Sequence, residues 1–89
     1  MAFVYIVECA DGTYYTGWTV DLDARVAAHN AGTGARYTRA RRPVRLVYWE
    51  HAADPSSALK REATLRRMSH AQKSRLAATH AANLEEVRP

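Results

Sequence analysis

Apolar and β-branched residues dominate the start of the chain. Phe3-Val-Tyr-Ile-Val-Glu-Cys9 has the composition of a strand. A period of two puts Phe3, Tyr5, Val7 and Cys9 on one face and Val4, Ile6 and Glu8 on the other. Asp11-Gly12 predicts a two-residue hairpin turn of type I′, whose central positions both need positive φ. Thr13-Tyr-Tyr-Thr-Gly-Trp18 then returns as the second strand.

The period changes after Trp18. Thr19 or Asp21 can cap a helix from about Leu22 to Ala31, with Gly32 as its stop. Residues 30–42 hold Gly32, Gly34 and scattered arginines without a usable period, and predict a basic loop. Val44 to Glu50 predicts a third strand. Asp54-Pro55 opens a helix to about Arg67, the acid capping and the proline sitting where its missing N–H costs nothing. Ser69-His-Ala-Gln72 matches a capping box and opens a last helix through about Ala78. Residues 83–89 are expected to form a flexible tail behind one domain over 1–82. The order β-β-α-β-α-α predicts an α+β fold, a three-stranded antiparallel sheet flanked by helices.

At 89 residues the chain fits one domain. A domain of this size hides only about 60–65% of its unfolded surface, so each large apolar side chain counts. The single Cys9 excludes a disulfide framework and a cysteine-rich zinc site, and a thiol enzyme on Cys9 has little support. No apolar run approaches the roughly 20 residues of a membrane span. No basic region precedes the first apolar stretch, as a signal peptide would require. A cytoplasmic location is therefore expected.

Charge is concentrated in the middle. Between Arg36 and Arg75 eleven Lys/Arg face three acids, a surplus of eight; the rest has two against six. Such a centre attracts a polyanion, nucleic acid being the usual one. The alternative is a solvated surface that keeps the domain soluble.

Three groups of residues carry candidate chemistry. Glu62 is flanked on its helix by Ala58, Leu59 and Leu65, at the edge of the apolar stripe. It can pair with Arg66 one turn on, or bind a hard divalent cation that needs one or two carboxylates plus phosphate oxygens and water. Arg25 and His29 project from one face of the first helix at i, i+4. The guanidinium can grip phosphate and the imidazole can carry a proton near neutral pH; alternatively Arg25 pairs with Asp21 or Asp23 and His29 is partly buried. Tyr5, Tyr14 and Tyr15 lie on the hairpin, where tyrosines usually pack with the hydroxyl at the rim. With an ordinary phenol pKa near 10, a tyrosine base needs help to act at neutral pH. There is no Gly-rich phosphate loop, zinc spacing, nucleotide fingerprint or serine elbow.

Taken together, the sequence resembles the GIY-YIG nuclease superfamily, in particular its small single-domain bacterial members. Phe3-Val4-Tyr5 corresponds to the first motif and Tyr15-Thr16-Gly17 to the second, ten residues apart from tyrosine to tyrosine. Arg25, His29 and Glu62 follow in the family's order, so the likeness covers about residues 2–76. Phe3 replaces the glycine of the first motif, and Trp18 stands where some members have a polar or basic residue. The asparagine that many members place soon after the metal-binding Glu has its nearest counterpart at Asn83.

The resemblance implies a divalent-metal-dependent DNA endonuclease, with Mg²⁺ or Mn²⁺ held by Glu62; a weak or structure-selective activity connected with DNA repair or recombination is expected. Tyr15 would orient or deprotonate the attacking water, assisted by Tyr5. Arg25 would neutralise the phosphate, His29 would supply a second proton-handling group, and Gly17 would allow close backbone approach. Arg36, Arg39, Arg41, Arg42 and Arg45 would hold the DNA backbone, with RNA an open alternative. Two rival readings are a catalytically quiet nucleic-acid-binding module and a subunit that needs a protein partner for activity.

Overall fold

A short hairpin forces its two strands antiparallel, and here it sets the whole sheet. The computed structural model describes residues 1–86. β1 (Ala2–Glu8) pairs with β2 (Tyr14–Thr19) on one side and with β3 (Arg45–Ala52) on the other, both antiparallel, giving the order β2-β1-β3. Tyr5 stands opposite Gly17 and Trp49. The helices are α1 (Leu22–Ala31), α2 (Arg36–Arg39), α3 (Pro55–Arg66) and α4 (His70–Glu86). The fold is α+β, a three-stranded antiparallel sheet with four helices, and no helix among the described residues is long and apolar enough to cross a membrane.

The hairpin corrects the expected turn. Gly12 alone there has positive φ, at 83°, so the loop is not type I′. Gly12 N–H donates to the Cys9 carbonyl at 3.0 Å and Cys9 N–H to the Thr13 carbonyl at 2.8 Å. This is the pattern of a three-residue loop with a left-handed glycine, the next most common hairpin connection. The Asp11 carboxylate accepts from Thr13 N–H and from its hydroxyl, and so holds the loop from inside.

Strand β1 is central and buried on both faces, as its apolar run requires. Ala2 and Val4 pack with Ala58 and Leu65 of α3, bordered by Trp18, Tyr48, Met68 and Leu76. Leu65 is fully buried, which stabilises the fold by about 1.5–3 kcal/mol relative to exposure. On the opposite face Tyr5, Val7 and Cys9 pack with Val44, Leu22, Val26, Tyr37, Leu46 and Trp49. The expected alternation therefore holds. A bulge between Ile6 and Val7 in the β1–β3 pairing leaves Val47 without a partner, so Leu46 and Trp49, three residues apart, reach the same cluster.

Caps fix the helix starts. Asp21 rather than Thr19 caps α1, accepting from Ala24 N–H, and Gly32 at φ 86° ends that helix. Asp54 accepts from Ser57 N–H with Pro55 at the start of α3. Ser69 and Gln72 exchange the two reciprocal bonds of a capping box.

Two expectations need correction. The basic loop contains α2, a single turn too short to show a period in sequence and held by the burial of Thr38 and the packing of Tyr37. The last helix runs to Glu86 instead of stopping near Ala78. Its alanines are the best helix formers, and His80 anchors it with ring centroids 5.2 Å from Tyr48 and 4.2 Å from Trp49. Residues 83–86 of the expected tail are thus helical; the remainder of that tail, 87–89, lies outside the described residues.

Candidate active site

The sheet face that carries Tyr5 and Tyr15 meets α1 and the segment that follows it. Tyr5 is 1% exposed, and its phenol reaches across to α1. Tyr5 Oη lies 2.7 Å from His29 Nε2, and Arg25 Nε–H donates to the same oxygen at 3.3 Å. Arg25 Nη2 also donates to the Gly34 carbonyl at 3.1 Å. His29 is fully buried, and its Nδ1 lies 2.7 Å from Thr38 Oγ1 on α2. The i, i+4 spacing thus turns Arg25 and His29 onto one phenol, and Arg25 forms no ion pair with Asp21 or Asp23 among the described residues.

Two glycines make this packing possible. A Cβ on Gly17 would lie 2.5 Å from Tyr5 Oη and 2.8 Å from Cζ. The close approach at Gly17 is therefore first of all that of the Tyr5 ring. A Cβ on Gly34 would lie 2.8 Å from His29 Cα and collide with the imidazole.

Tyr15 is half-buried, its ring edge-on to His29 at 5.3 Å and stacked on Tyr37 at 6.0 Å. Arg41 sits 3.9 Å over the Tyr37 ring and pairs with Asp11 at 3.1 Å. Tyr15 is thereby packed through Tyr37 and Arg41 to the hairpin loop. Glu62 projects from α3 with its side chain 13% exposed and pairs with Arg66 at 3.1 Å. Its charge still reaches Tyr5.

These contacts set the protonation of the site. Burial pushes the Tyr5 phenol above its ordinary value, against the lowering effect of the Arg25 hydrogen bond. Tyr5 is a neutral donor at neutral pH. Burial, then the Arg25 charge, lowers the His29 pKa and holds the ring neutral. The hydrogen bond to Tyr5 raises Arg25 further above its already high value. Burial also pushes up the Cys9 thiol, which is 4% exposed and stays protonated.

The structure thus gathers Tyr5, Tyr15, Arg25 and His29, with Glu62 within electrostatic reach. It divides the five arginines read as backbone contacts. Arg41 is bound to Asp11 and the Tyr37 carbonyl, Arg42 to the Arg39 and Asn30 carbonyls, and Arg45 to Glu8. The exposed Arg36 and Arg39 side chains make no hydrogen bond or ion pair among the described residues. Sequence reasoning missed Thr38, Tyr37 and the Gly34 carbonyl. Their only signal was glycine spacing in an aperiodic segment.

A divalent cation has one candidate protein ligand here. No group of three or more His, Cys, Asp or Glu side chains is placed to hold a metal among the described residues. A single carboxylate suits a cation that takes its other ligands from substrate phosphate and water. Glu62 fits that donor set.

Paired tyrosines and Arg25 on α1, with Glu62 on α3 within electrostatic reach, form the candidate site of this small α+β domain. The family model described as the GIY-YIG catalytic domain matches residues 1–75, and the chain belongs to the GIY-YIG family. Within it the relatives are UPF0213 proteins. One from Halobacterium salinarum is 53% identical over 76 residues, covering 85% of this chain and 99% of that protein. One from Syntrophus aciditrophicus is 52% identical over 75 residues, covering 83% and 86%. The solution NMR structure of a UPF0213 protein from Bacillus halodurans matches with TM-score 0.54 and 40% identity over 89% of this chain and 85% of that one. An E. faecalis protein solved by NMR matches with TM-score 0.56 and 35% identity over 86% and 82%. Membership implies nuclease-type activity on nucleic acid.

Proposed function

We propose that this GIY-YIG domain is a divalent-metal-dependent DNA endonuclease, selective for DNA structure rather than sequence and connected with repair or recombination. One observation carries the reading. Arg25, Tyr5 and His29 form a single hydrogen-bonded chain beside Tyr15, with Glu62 of α3 within electrostatic reach of Tyr5. Phosphodiester hydrolysis needs charge neutralisation and an oriented nucleophile more than covalent catalysis, and this set offers both.

In this reading Arg25 meets the phosphate. Its Nε–H and one Nη2–H are taken by Tyr5 and Gly34, which leaves three of its five N–H donors for phosphate oxygens. Tyr15, more accessible than Tyr5, orients the attacking water through its phenol oxygen and, once it has lost its own hydrogen to solvent, can accept the proton of that water. Tyr5 and His29 lie beneath, neutral, and hold Arg25 in place. Glu62 would bind Mg²⁺ or Mn²⁺ together with substrate oxygens, exchanging its Arg66 partner for the cation. When bound, such an ion supplies Lewis-acid neutralisation of the phosphate. Arg36 and Arg39 on α2 contact the flanking backbone, which positions nucleic acid without reading bases.

The test is cleavage of labelled single-stranded, duplex and branched DNA, with an RNA of matching sequence, in Mg²⁺ or Mn²⁺. Wild type is compared with Glu62→Ala. Cutting by wild type alone supports the endonuclease and its metal ligand. Equal cutting by both removes Glu62 from the site. Binding without cutting transfers the assignment to a quiet nucleic-acid-binding module or to an enzyme that needs a protein partner.

A further inference from the structure

The proton positions along the buried chain follow from its two ends. The Ala35 carbonyl can only accept, and the Thr38 hydroxyl donates to it at 3.2 Å, beside the Arg39 N–H that the same carbonyl receives at 3.0 Å. Thr38 Oγ1 therefore faces His29 Nδ1, 2.7 Å away, as an acceptor. Nδ1 carries the hydrogen. In a neutral ring Nε2 is then bare and takes the Tyr5 O–H across 2.7 Å. Tyr5 Oη in turn receives Arg25 Nε–H. All four hydrogens find acceptors, each in the same direction along the chain.

Neither alternative protonation does as well. With the hydrogen on Nε2, His29 and Arg25 both donate to Tyr5 Oη, and the Tyr5 O–H has no acceptor among the described residues. Thr38 would also have to abandon Ala35 to serve Nδ1. A doubly protonated ring orphans the same Tyr5 hydrogen and places a buried positive charge beside Arg25. An unmade buried hydrogen bond is the costly outcome, so the tautomer is set at both ends, by the Tyr5 hydroxyl that needs Nε2 and by the Thr38 oxygen that receives Nδ1–H.

We propose that Thr38 is a positioning residue of the site: it fixes the Nδ1–H tautomer of His29, which turns the Tyr5 hydroxyl inward and leaves the Tyr5 oxygen to hold Arg25. The segment 34–38 thereby clamps the guanidinium twice, directly through the Gly34 carbonyl and indirectly through Thr38, His29 and Tyr5. The consequence for cleavage rests on the endonuclease reading; the tautomer does not.

The test uses the full chain with ¹⁵N-labelled histidine. Long-range ¹H–¹⁵N spectra of the wild type should show His29 protonated at Nδ1 and bare at Nε2; a proton on Nε2, or on both nitrogens, overturns the proposal. Thr38→Val keeps the shape and removes the acceptor; Nδ1–H is then unpaired in one tautomer and the Tyr5 O–H in the other, so the exclusive preference should be lost and a population with the hydrogen on Nε2 should appear. Cleavage should then fall by up to about 100-fold, the scale of a misplacement of about 1 Å made away from the chemistry, with DNA affinity unchanged. Thr38→Ser, which retains the hydroxyl, should restore both tautomer and cleavage. A valine variant that keeps the hydrogen on Nδ1, or a serine variant as impaired as valine, assigns Thr38 to packing alone. If the wild type cuts no nucleic acid, the endonuclease reading fails while the spectra still decide the role of Thr38.

Discussion

Replacing Gly17 by alanine probes the packing beneath the site. The added methyl would lie 2.5 Å from Tyr5 Oη, 2.8 Å from Cζ and 3.1 Å from Cε2, whereas carbon contacts settle at about 3.5–4.0 Å. The ring must retreat by about 1 Å, and it has nowhere to go. It is buried, pinned by His29 and Arg25, and lies on the central strand. Overpacking costs about 1–3 kcal/mol. Loss of the neutral bond to His29 adds about 0.5–1.5 kcal/mol, and loss of the charged bond to Arg25 about 1.5–3. Reduced chain entropy returns about 0.4–1 kcal/mol. The expected destabilisation is about 2–7 kcal/mol, a large part of the roughly 5–15 kcal/mol available to a domain. At about 4–8 °C per kcal/mol, Tm should fall by more than about 8 °C. Urea titrations of Gly17→Ala, Tyr5→Phe and the double variant measure this directly. Removing Oη takes away the nearest clash, so the pair should couple favourably by about 1 kcal/mol or more. Gly12→Ala is the control. Nothing lies within 4 Å of its added methyl, so it should cost only the roughly 1–2 kcal/mol of a left-handed residue and show no coupling to Tyr5. A Gly17→Ala protein within about 0.5 kcal/mol of wild type, or additive with Tyr5→Phe, refutes the reasoning.

Three further outcomes are expected. Glu62→Gln should abolish metal-dependent cleavage yet change stability by only about 0.3–0.5 kcal/mol, the worth of an i, i+4 helix pair whose arginine is exposed; thermal melts beside the cleavage assay check both. Replacing Arg36 and Arg39 together by alanine should reduce the slope of log affinity against log salt by nearly 2 on duplex DNA with Tm unchanged, whereas Arg41→Ala should cost about 1–2 kcal/mol through its cation–π and hydrogen bonds. Burial lowers the pKa values of His29 and His80 in the fold, so the unfolded chain binds their protons more readily. Their contribution to stability is complete above the unfolded value near 6.5 and is lost as pH falls below it. The urea midpoint should drop between pH 7.5 and about 5, and a midpoint that holds or rises over that window contradicts the assignment.

The elements with strong local signals were legible. The alternation of Phe3 to Cys9, the Asp54-Pro55 start and the Ser69–Gln72 box each encode their structure within a few residues, and each is found where the pattern puts it. What escaped is what only tertiary contact decides. Helix α2 is one turn, nucleated by Thr38 and Tyr37 reaching partners more than eight residues away. The Val47 bulge leaves no compositional trace. In the site, Tyr5, Arg25 and His29 were visible because their spacing on regular elements brings them together. Whether Arg41 and Arg42 face solvent or the fold was not, since an arginine reads alike in either role. Only the structure distinguishes the pair bound to backbone carbonyls from Arg36 and Arg39.

The two ends of the buried chain belong to elements of very different persistence. The amides around Tyr5 lie in a strand bonded on both sides, so their hydrogens should exchange with solvent only when the whole domain unfolds. Thr38 sits in a four-residue turn, the sort of element that opens and closes many times between such events. Each opening of α2 strips His29 of its acceptor and slackens Arg25 while the sheet stays intact. The fraction of molecules with an assembled site is therefore governed by the local equilibrium of one helical turn. A ligand that holds α2 closed would raise that fraction without touching the sheet, and slowed exchange of the Arg39 and Arg41 amides, which bond to the Ala35 and Thr38 carbonyls, would be its signature.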